Sequence, residues 1–119
     1  MKQNKRAVGG SYEEKAAAFL QEKGLKILEK NFRCRSGEVD LIAQDGRYLV
    51  FVEVKYRGYD SSGSSLDAVD KRKQHMISKA AEYYLYTRCH SFDIPVRFDV
   101  VGFDREEVRW VRNAFEYSR

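Results

Sequence analysis

Polar and apolar residues along the chain change period several times, and each change predicts an element. Ala16, Ala17 and Leu20 recur at helical spacing behind Ser11, a residue type that favours the N-cap, and ahead of Gly24, which suits the C′ position. A helix is therefore predicted from Tyr12 to Lys23, preceded by a flexible basic arm over residues 1–10. Leu25 to Arg33 reads as a first strand. From Glu38 to Tyr56 two β-type runs flank Asp45-Gly46, the pair that favours a two-residue type I′ turn, which predicts a hairpin. The Gly/Ser-rich stretch Gly58 to Ser65 reads as a mobile loop. Helical spacing returns at Leu66, Val69, Met76, Ile77, Ala80 and Tyr84, predicting a long helix from Ser65 or Asp67 to about Arg88. On this helix Lys71, Arg72, Lys73, Lys79 and Glu82 fall outside or on the borders of the inner stripe. Val96 to Phe103 and Val108 to Arg112 complete the series as strands. The order α-β-β-β-α-β-β predicts an α/β fold, a mixed central sheet flanked by helices, as a single domain over residues 11–119.

The hairpin carries residues that a core sheet does not need. With Asp45-Gly46 as the turn, Ala43 lies opposite Tyr48, Asp40 opposite Phe51 and Glu38 opposite Glu53. Leu49, Phe51, Glu53 and Lys55 then share a face with Asp40 and Glu38, while Val50, Val52, Val54, Val39 and Leu41 form an apolar surface on the other. Asp40 becomes the diagonal neighbour of Glu53, a span that suits one bridging cation. Two carboxylates with an ammonium beside them match what a Mg²⁺-dependent phosphodiesterase requires, since a hard cation prefers carboxylate oxygens. The bland rival is an exposed cross-strand ion-pair row. Glu13 falls on the inward stripe of the first helix, where an acid is unexpected, and Glu14 falls to its side. A helix-border position near the positive end of the helix dipole is the competing reading for Glu13.

Composition narrows this only slightly. At 119 residues, with a formal net charge of +4 and a sequence pI near 9.1, the chain can bury one core and is compatible with nucleic acid as a partner. The start lacks the apolar run of a signal peptide and no segment approaches a membrane span, so a cytoplasmic protein without membrane partners is expected. Cys34 and Cys89 read as free thiols, and with His75 and His90 they lack zinc-like spacing. Arg57, two residues beyond Lys55 on the same face, is a phosphate-contact candidate, as are Lys71, Arg72 and Lys73 after the Gly/Ser-rich loop. Tyr83, Tyr84 and Tyr86 admit base stacking, with helix packing as the rival. Asp99 reads as structural, pairing Arg97 at the sheet edge.

The element order, the inward Glu13, Asp40 on the second strand and Glu53-Val54-Lys55 on the third resemble the PD-(D/E)xK nuclease superfamily, which includes Holliday-junction resolvases. Asn31-Phe32-Arg33, Gly37-Glu38-Val39-Asp40-Leu41-Ile42, Phe51-Val52-Glu53-Val54-Lys55-Tyr56-Arg57 and Arg97-Phe98-Asp99-Val100-Val101 resemble the bacterial YraN family of endonuclease-like proteins, over about residues 9 to 115. The resemblance implies a restriction-endonuclease-like core and a metal-dependent endonuclease acting on DNA, branched or structured DNA included. It implies Mg²⁺ or Mn²⁺ held by Asp40 and Glu53, with the Val54 carbonyl as a third donor and Glu13 acting through a metal-bound water. Lys55 would orient the attacking water or stabilise developing charge. Val39 stands where the signature has proline, which leaves Glu38 as a competitor to Asp40. Resolvase-like cores also pair as homodimers to cut two strands. The alternative function is a nucleic-acid-binding module that keeps the nuclease-like core without efficient cleavage, and a third is an interaction protein that binds no nucleic acid.

Overall fold

Five strands build one sheet in the order β1-β2-β3-β4-β5: β1 (Lys26–Cys34), β2 (Gly37–Asp45), β3 (Tyr48–Arg57), β4 (Val96–Asp104) and β5 (Glu107–Val111). The computed structural model describes residues 5–57, 69–104 and 107–118, with the side chains of residues 5–10 and of Arg57 outside that description. Neighbouring strands are antiparallel except β3 and β4, which run parallel and are separated in sequence by helix α2 (Lys71–Tyr84). The fold is therefore mixed α/β, a five-stranded and mostly antiparallel sheet flanked by two helices in the predicted element order.

Both faces of the central strands are buried, which explains the unbroken run Leu49-Val50-Phe51-Val52. Leu49 and Phe51 join Ile42 and Phe98 beneath Ile77, Ala80, Ala81 and Tyr84 of α2. Their alternates, Val50 and Val52, join Leu41, Ala43 and Val101 beneath Ala16, Ala17 and Leu20 of helix α1 (Lys5–Glu22). Burying each such aliphatic side chain contributes roughly 1.5–3 kcal/mol, so both helices are fixed by the strand alternation. Asp99 on β4 is fully buried and its carboxylate accepts from Arg97 Nε and Nη2, Trp110 Nε1 and the Asn113 backbone N–H. It is structural and paired with Arg97 as expected, although β4 lies inside the sheet and not at its edge.

Several boundaries differ from the sequence expectation. Helix α1 starts at Lys5, so Gly9, Gly10 and Ser11 lie within it and Ser11 does not cap it. Lys5, Arg6 and Ala7 are good helix formers, and Gly costs only about 1 kcal/mol in a helix without breaking its hydrogen bonds. Its far end is as predicted: Gly24 takes a φ of +99°, and the Leu25 N–H closes on the Leu20 carbonyl at 3.0 Å. The hairpin turn moves by one residue, because Asp45 pairs with Tyr48 and Gly46-Arg47 makes the turn. Asp45 is held in the strand by Arg97, whose Nη2 lies 2.9 Å from its carboxylate. The register consequently slips by two residues. Continued past its last pair, Leu41–Val52, this register would bring Asp40 level with Glu53, and Glu38 no longer faces Glu53. The predicted α2 start at Ser65 or Asp67, the Leu66 stripe position and the Gly58 to Ser65 loop lie outside the described residues. Val69 and Asp70 are non-helical, and Asp70 caps α2 by accepting from the Lys73 N–H at 2.9 Å. After Tyr84 the helix widens into a π-helical turn, Leu85–Cys89. Among the described residues no helix is long and apolar enough to cross a membrane.

The close approach of β2 to α2 depends on Gly37. A Cβ there would overlap the Met76 carbonyl oxygen and come within 3.0 Å of the Ala80 nitrogen, both helix backbone atoms. Gly37→Ala should therefore destabilise the protein by about 1–3 kcal/mol, the scale of overpacking, in urea unfolding monitored by circular dichroism. An unchanged midpoint would show that α2 is not anchored at this contact.

Candidate active site at the splayed end of the hairpin

The β2–β3 ladder runs from Asp45–Tyr48 to Leu41–Val52 and stops there. Two residues further along β3, the Val54 N–H donates to Asp40 Oδ2 at 2.8 Å, so a side chain replaces the next backbone partner. The opposite flank of β2 is irregular at the same level. Asn31 on β1 has a φ of +52°, a left-handed conformation that asparagine tolerates better than most residues. Lys30 and its partner Leu41 face α1, yet Phe32 and its partner Val39 pack with the α2-side cluster. The face alternation therefore reverses around Asn31 and Asp40, which moves Val39 away from the Val50 and Val52 surface predicted for it. Such irregularities in antiparallel pairs re-aim side chains. Here the β2–β3 ladder ends, a gap in the backbone pairing, and Asp40 is turned toward it.

Glu53 lies in that gap, only 2 % exposed, with Oε1 buried and lacking a hydrogen-bond partner. Its other oxygen, Oε2, is shared by two ammonium groups, Lys55 Nζ at 3.2 Å and Lys73 Nζ at 3.5 Å. Burial raises the Glu53 pKa first, and hydrogen bonding and repulsion from Asp40 raise it further, to about 8 against the pull of both lysines. Near neutral pH the Asp40–Glu53 pair therefore holds a proton that two isolated carboxylates would not. Glu13 approaches from α1, half-buried, with its Oε1 also unpartnered. Burial and Asp40 raise its pKa, while Arg33 and a hydrogen bond from the Asn31 side chain oppose the shift.

Lys73, expected on the outer border of α2, is turned inward. Its Nζ also lies 3.5 Å from Glu38 Oε1, and Arg33 Nε lies 3.5 Å from Glu38 Oε2. Burial alone would lower the Lys73 pKa, but Glu53, Asp40 and Glu38 together hold it above the usual lysine value. Glu38 thus belongs to the cluster through cations and not as the partner facing Glu53.

The sequence candidates separate cleanly. Asp40, Glu53, Lys55 and Glu13 converge at one end of the sheet, with Glu38 at its rim. Arg72 joins Lys55, Lys73, Asp70 and Met76 around an open cavity of about 230 Å³ next to the cluster. Lys71 is exposed at the start of α2, and Arg57 ends β3 opposite Asp104 with its side chain outside the described residues. Tyr84 packs in the core, whereas Tyr83 and Tyr86 are exposed. Asn31 and Arg33 were not singled out as site residues. The signals for Asn31 were an asparagine inside a strand, which strands disfavour, and its place in the Asn31-Phe32-Arg33 motif.

The donor set suits a hard cation: carboxylate oxygens on Asp40, Glu53 and Glu13, two of the three acids carrying a buried oxygen without a partner. Among the described residues no three Asp, Glu, His or Cys side chains close around a single point by themselves. Water, backbone oxygen or substrate would have to complete a coordination shell.

The family model for the uncharacterised protein family UPF0102 matches residues 12–103. A UPF0102 protein of Lachnoclostridium phytofermentans is 44 % identical over 113 residues, covering 95 % of this chain and 96 % of the relative. A UPF0102 protein of a Janthinobacterium species is 43 % identical over 112 residues, covering 94 % and 89 %. The UPF0102 protein NE0719 of Nitrosomonas europaea is 43 % identical over 113 residues, covering 92 % and 94 %.

The buried acid should make stability fall with rising pH. Below the ordinary glutamate value of 4.5 the folded and unfolded states both keep the Glu53 proton; between there and about 8 only the folded state keeps it. The unfolded chain binds fewer protons in that window, so folding weakens as pH rises, by at most about 1.4 kcal/mol per pH unit, and levels off above it. Chemical denaturation in chelator across this window should show the decline, and Glu53→Gln should remove most of it. Equal pH slopes in the two proteins would mean that Glu53 is not held protonated.

Proposed function

We propose that this chain, which belongs to the uncharacterised protein family UPF0102, is a divalent-metal-dependent endonuclease acting on DNA, with Asp40, Glu53, Glu13 and Lys55 as its working groups. The observation that carries this reading is the buried Glu53 carboxyl, pressed against Asp40 so closely that the two share a proton near neutral pH, with two lysines beside Oε2. Burying one carboxyl against another disfavours its charged form, and a sheet built for stability alone gains nothing from it. The arrangement also supports placement in the PD-(D/E)xK superfamily, with the acid on β2, Glu-x-Lys on β3 and a further acid on α1.

Asp40 and Glu53 would hold Mg²⁺ or Mn²⁺, with the Val54 carbonyl as a further oxygen donor. When bound, such an ion supplies Lewis-acid polarisation of the phosphate and a more acidic water. Asp40 is fixed for that role by the Val54 N–H, and Glu53 by the strand and by Lys55. Glu13 stands across the gap on α1, where it can accept hydrogen bonds from water. Lys55, three-quarters buried, keeps its ammonium beside Glu53 and can stabilise charge that develops on the phosphate oxygens. Arg72, Lys71 and Arg57 are the proposed contacts to neighbouring phosphates. The net positive charge favours DNA association, and a second copy of the chain would be needed to cut two strands symmetrically.

A second reading is kept alive by the lysines. Glu53 Oε2 already has Lys55 and Lys73 beside it without a metal ion, an arrangement that also suits a nucleic-acid-binding module that retains the core but does not cleave.

Two experiments separate these readings. Millimolar Mn²⁺ or Mg²⁺ should raise the melting temperature of the wild-type protein by mass action, and Asp40→Ala or Glu53→Ala should abolish that gain; no divalent binding in calorimetry would refute the metal site. On a panel of branched, flapped and single-stranded DNAs, Lys55→Ala should keep affinity within a few-fold and slow single-turnover cleavage by roughly 10² or more. Equal binding with no cleavage by either protein would establish the binding module.

A further inference from the structure

We infer that Lys73 is a built-in counter-ion that competes with the divalent cation for Glu53 and moves to the substrate phosphate when the cation binds. The inference rests on the metal-site reading above, and it assigns the α2 lysine a role different from that of Lys55. Lys55 belongs to the same strand as Glu53 and is fixed beside it by the pleat. Lys73 reaches Glu53 from another element, through a four-carbon stem that can change direction without moving the helix.

Three observations place it between two positions. Its ammonium bridges Glu53 Oε2 and Glu38 Oε1, both at 3.5 Å, so it links the buried acid of β3 to the rim acid of β2. The side chain is one-quarter exposed and therefore not sealed in. It also lines the cavity of about 230 Å³ whose other cations are Lys55 and Arg72, and a volume of this size admits a phosphate group. Neither contact is shorter than 3.5 Å, so the ion pairs are made without tight hydrogen bonds.

Charge decides which position is occupied. With no divalent ion present, Asp40, Glu38 and, once it is ionised, Glu53 attract the ammonium, and Lys73 relieves their repulsion. A dication held at Asp40 and Glu53 would repel it across a few ångströms of half-buried space. Its nearest alternative partner is then an anion in the cavity wall that it already forms. Lys73 would thus weaken the metal site in the absence of substrate and strengthen phosphate binding once the metal is held. Cleavage would require both ligands together.

The test is Mn²⁺ affinity by calorimetry for wild type, Lys73→Met and Lys79→Met, in buffer alkaline enough to ionise Glu53. Lys79 lies on the same helix but pairs with Glu82, away from the site. Lys73→Met should bind Mn²⁺ roughly ten-fold more tightly, the scale expected for removing one unit charge a few ångströms away, whereas Lys79→Met should match wild type. In the wild-type protein, acylation of Lys73 followed by mass spectrometry should accelerate at saturating Mn²⁺ as the amine leaves its carboxylates. This second measurement stands even if the variant folds poorly. Wild-type binding with unchanged or weaker affinity in Lys73→Met, or a Lys73 acylation rate that Mn²⁺ leaves unchanged or slows, would overturn the inference while leaving the metal site intact. Absence of Mn²⁺ binding by both wild type and Lys73→Met would remove the metal site and the inference together.

Discussion

The Val54 N–H donates to the Asp40 carboxylate at a point where a regular hairpin would continue its backbone ladder. From this one substitution of a side chain for a main-chain partner the rest of the site follows. The ladder ends, Asp40 is fixed beside Glu53, and the backbone pairing is left open where a continuous ladder would have closed it. Asn31 in its left-handed conformation sustains the irregularity from β1 and reaches Glu13 with its side chain. Three elements thereby bring acids to the same end of the sheet, with Asp40 of β2 between Glu13 of α1 and Glu53 of β3. Gly37 brings in the fourth, because only a residue without a Cβ lets the start of β2 lie against α2 closely enough for Lys73 to reach Glu38 and Glu53.

The cluster is costly, and its cost is the physical argument for function. Glu53 is as buried as the valines around it, so its charge is disfavoured by desolvation before Asp40 adds repulsion. Lys55 and Lys73 recover part of this at one oxygen and leave the other alone. The contrast with Asp99 is instructive. That carboxylate is equally buried but accepts from four donors on three neighbours, which ties β4 to β5 and to the chain beyond it. One buried acid is fully satisfied and the other is not. The satisfied one is placed as a structural residue, and the unsatisfied one sits in the opening between the strands with cations around it.

Much of this was legible in the sequence because it depends on periodicity. Period-two alternation put Glu53 and Lys55 on one face, which their 3.2 Å contact bears out, and helical spacing turned Glu13 toward the sheet, where it is half-buried near Asp40. Those inferences survive a two-residue slip, which exchanges partners without exchanging faces. The slip was missed because Asp45-Gly46 was read as the turn pair, whereas Gly46 takes the first turn position with a φ of +60° and Asp45 stays in the strand, 2.9 Å from Arg97. The reversal at Asn31 and Asp40 was hidden for a similar reason: a rule that assumes an unbroken ladder cannot locate the break, so Val39 was assigned to the wrong side. Lys73 was misjudged because polarity alone assigns a lysine to the outside of a helix. Its long stem lets the charge turn toward buried acids while the backbone stays at the border.

The central claim is that the gap between Asp40 and Glu53 is a divalent-cation site. Crystals of the protein grown with Mn²⁺ and measured for anomalous scattering test it most directly. The account predicts an anomalous peak within about 2.2 Å of an Asp40 oxygen and of Glu53 Oε1, the scale of carboxylate coordination to a small hard cation. Strong manganese peaks at other carboxylates, with none between Asp40 and Glu53, would contradict it.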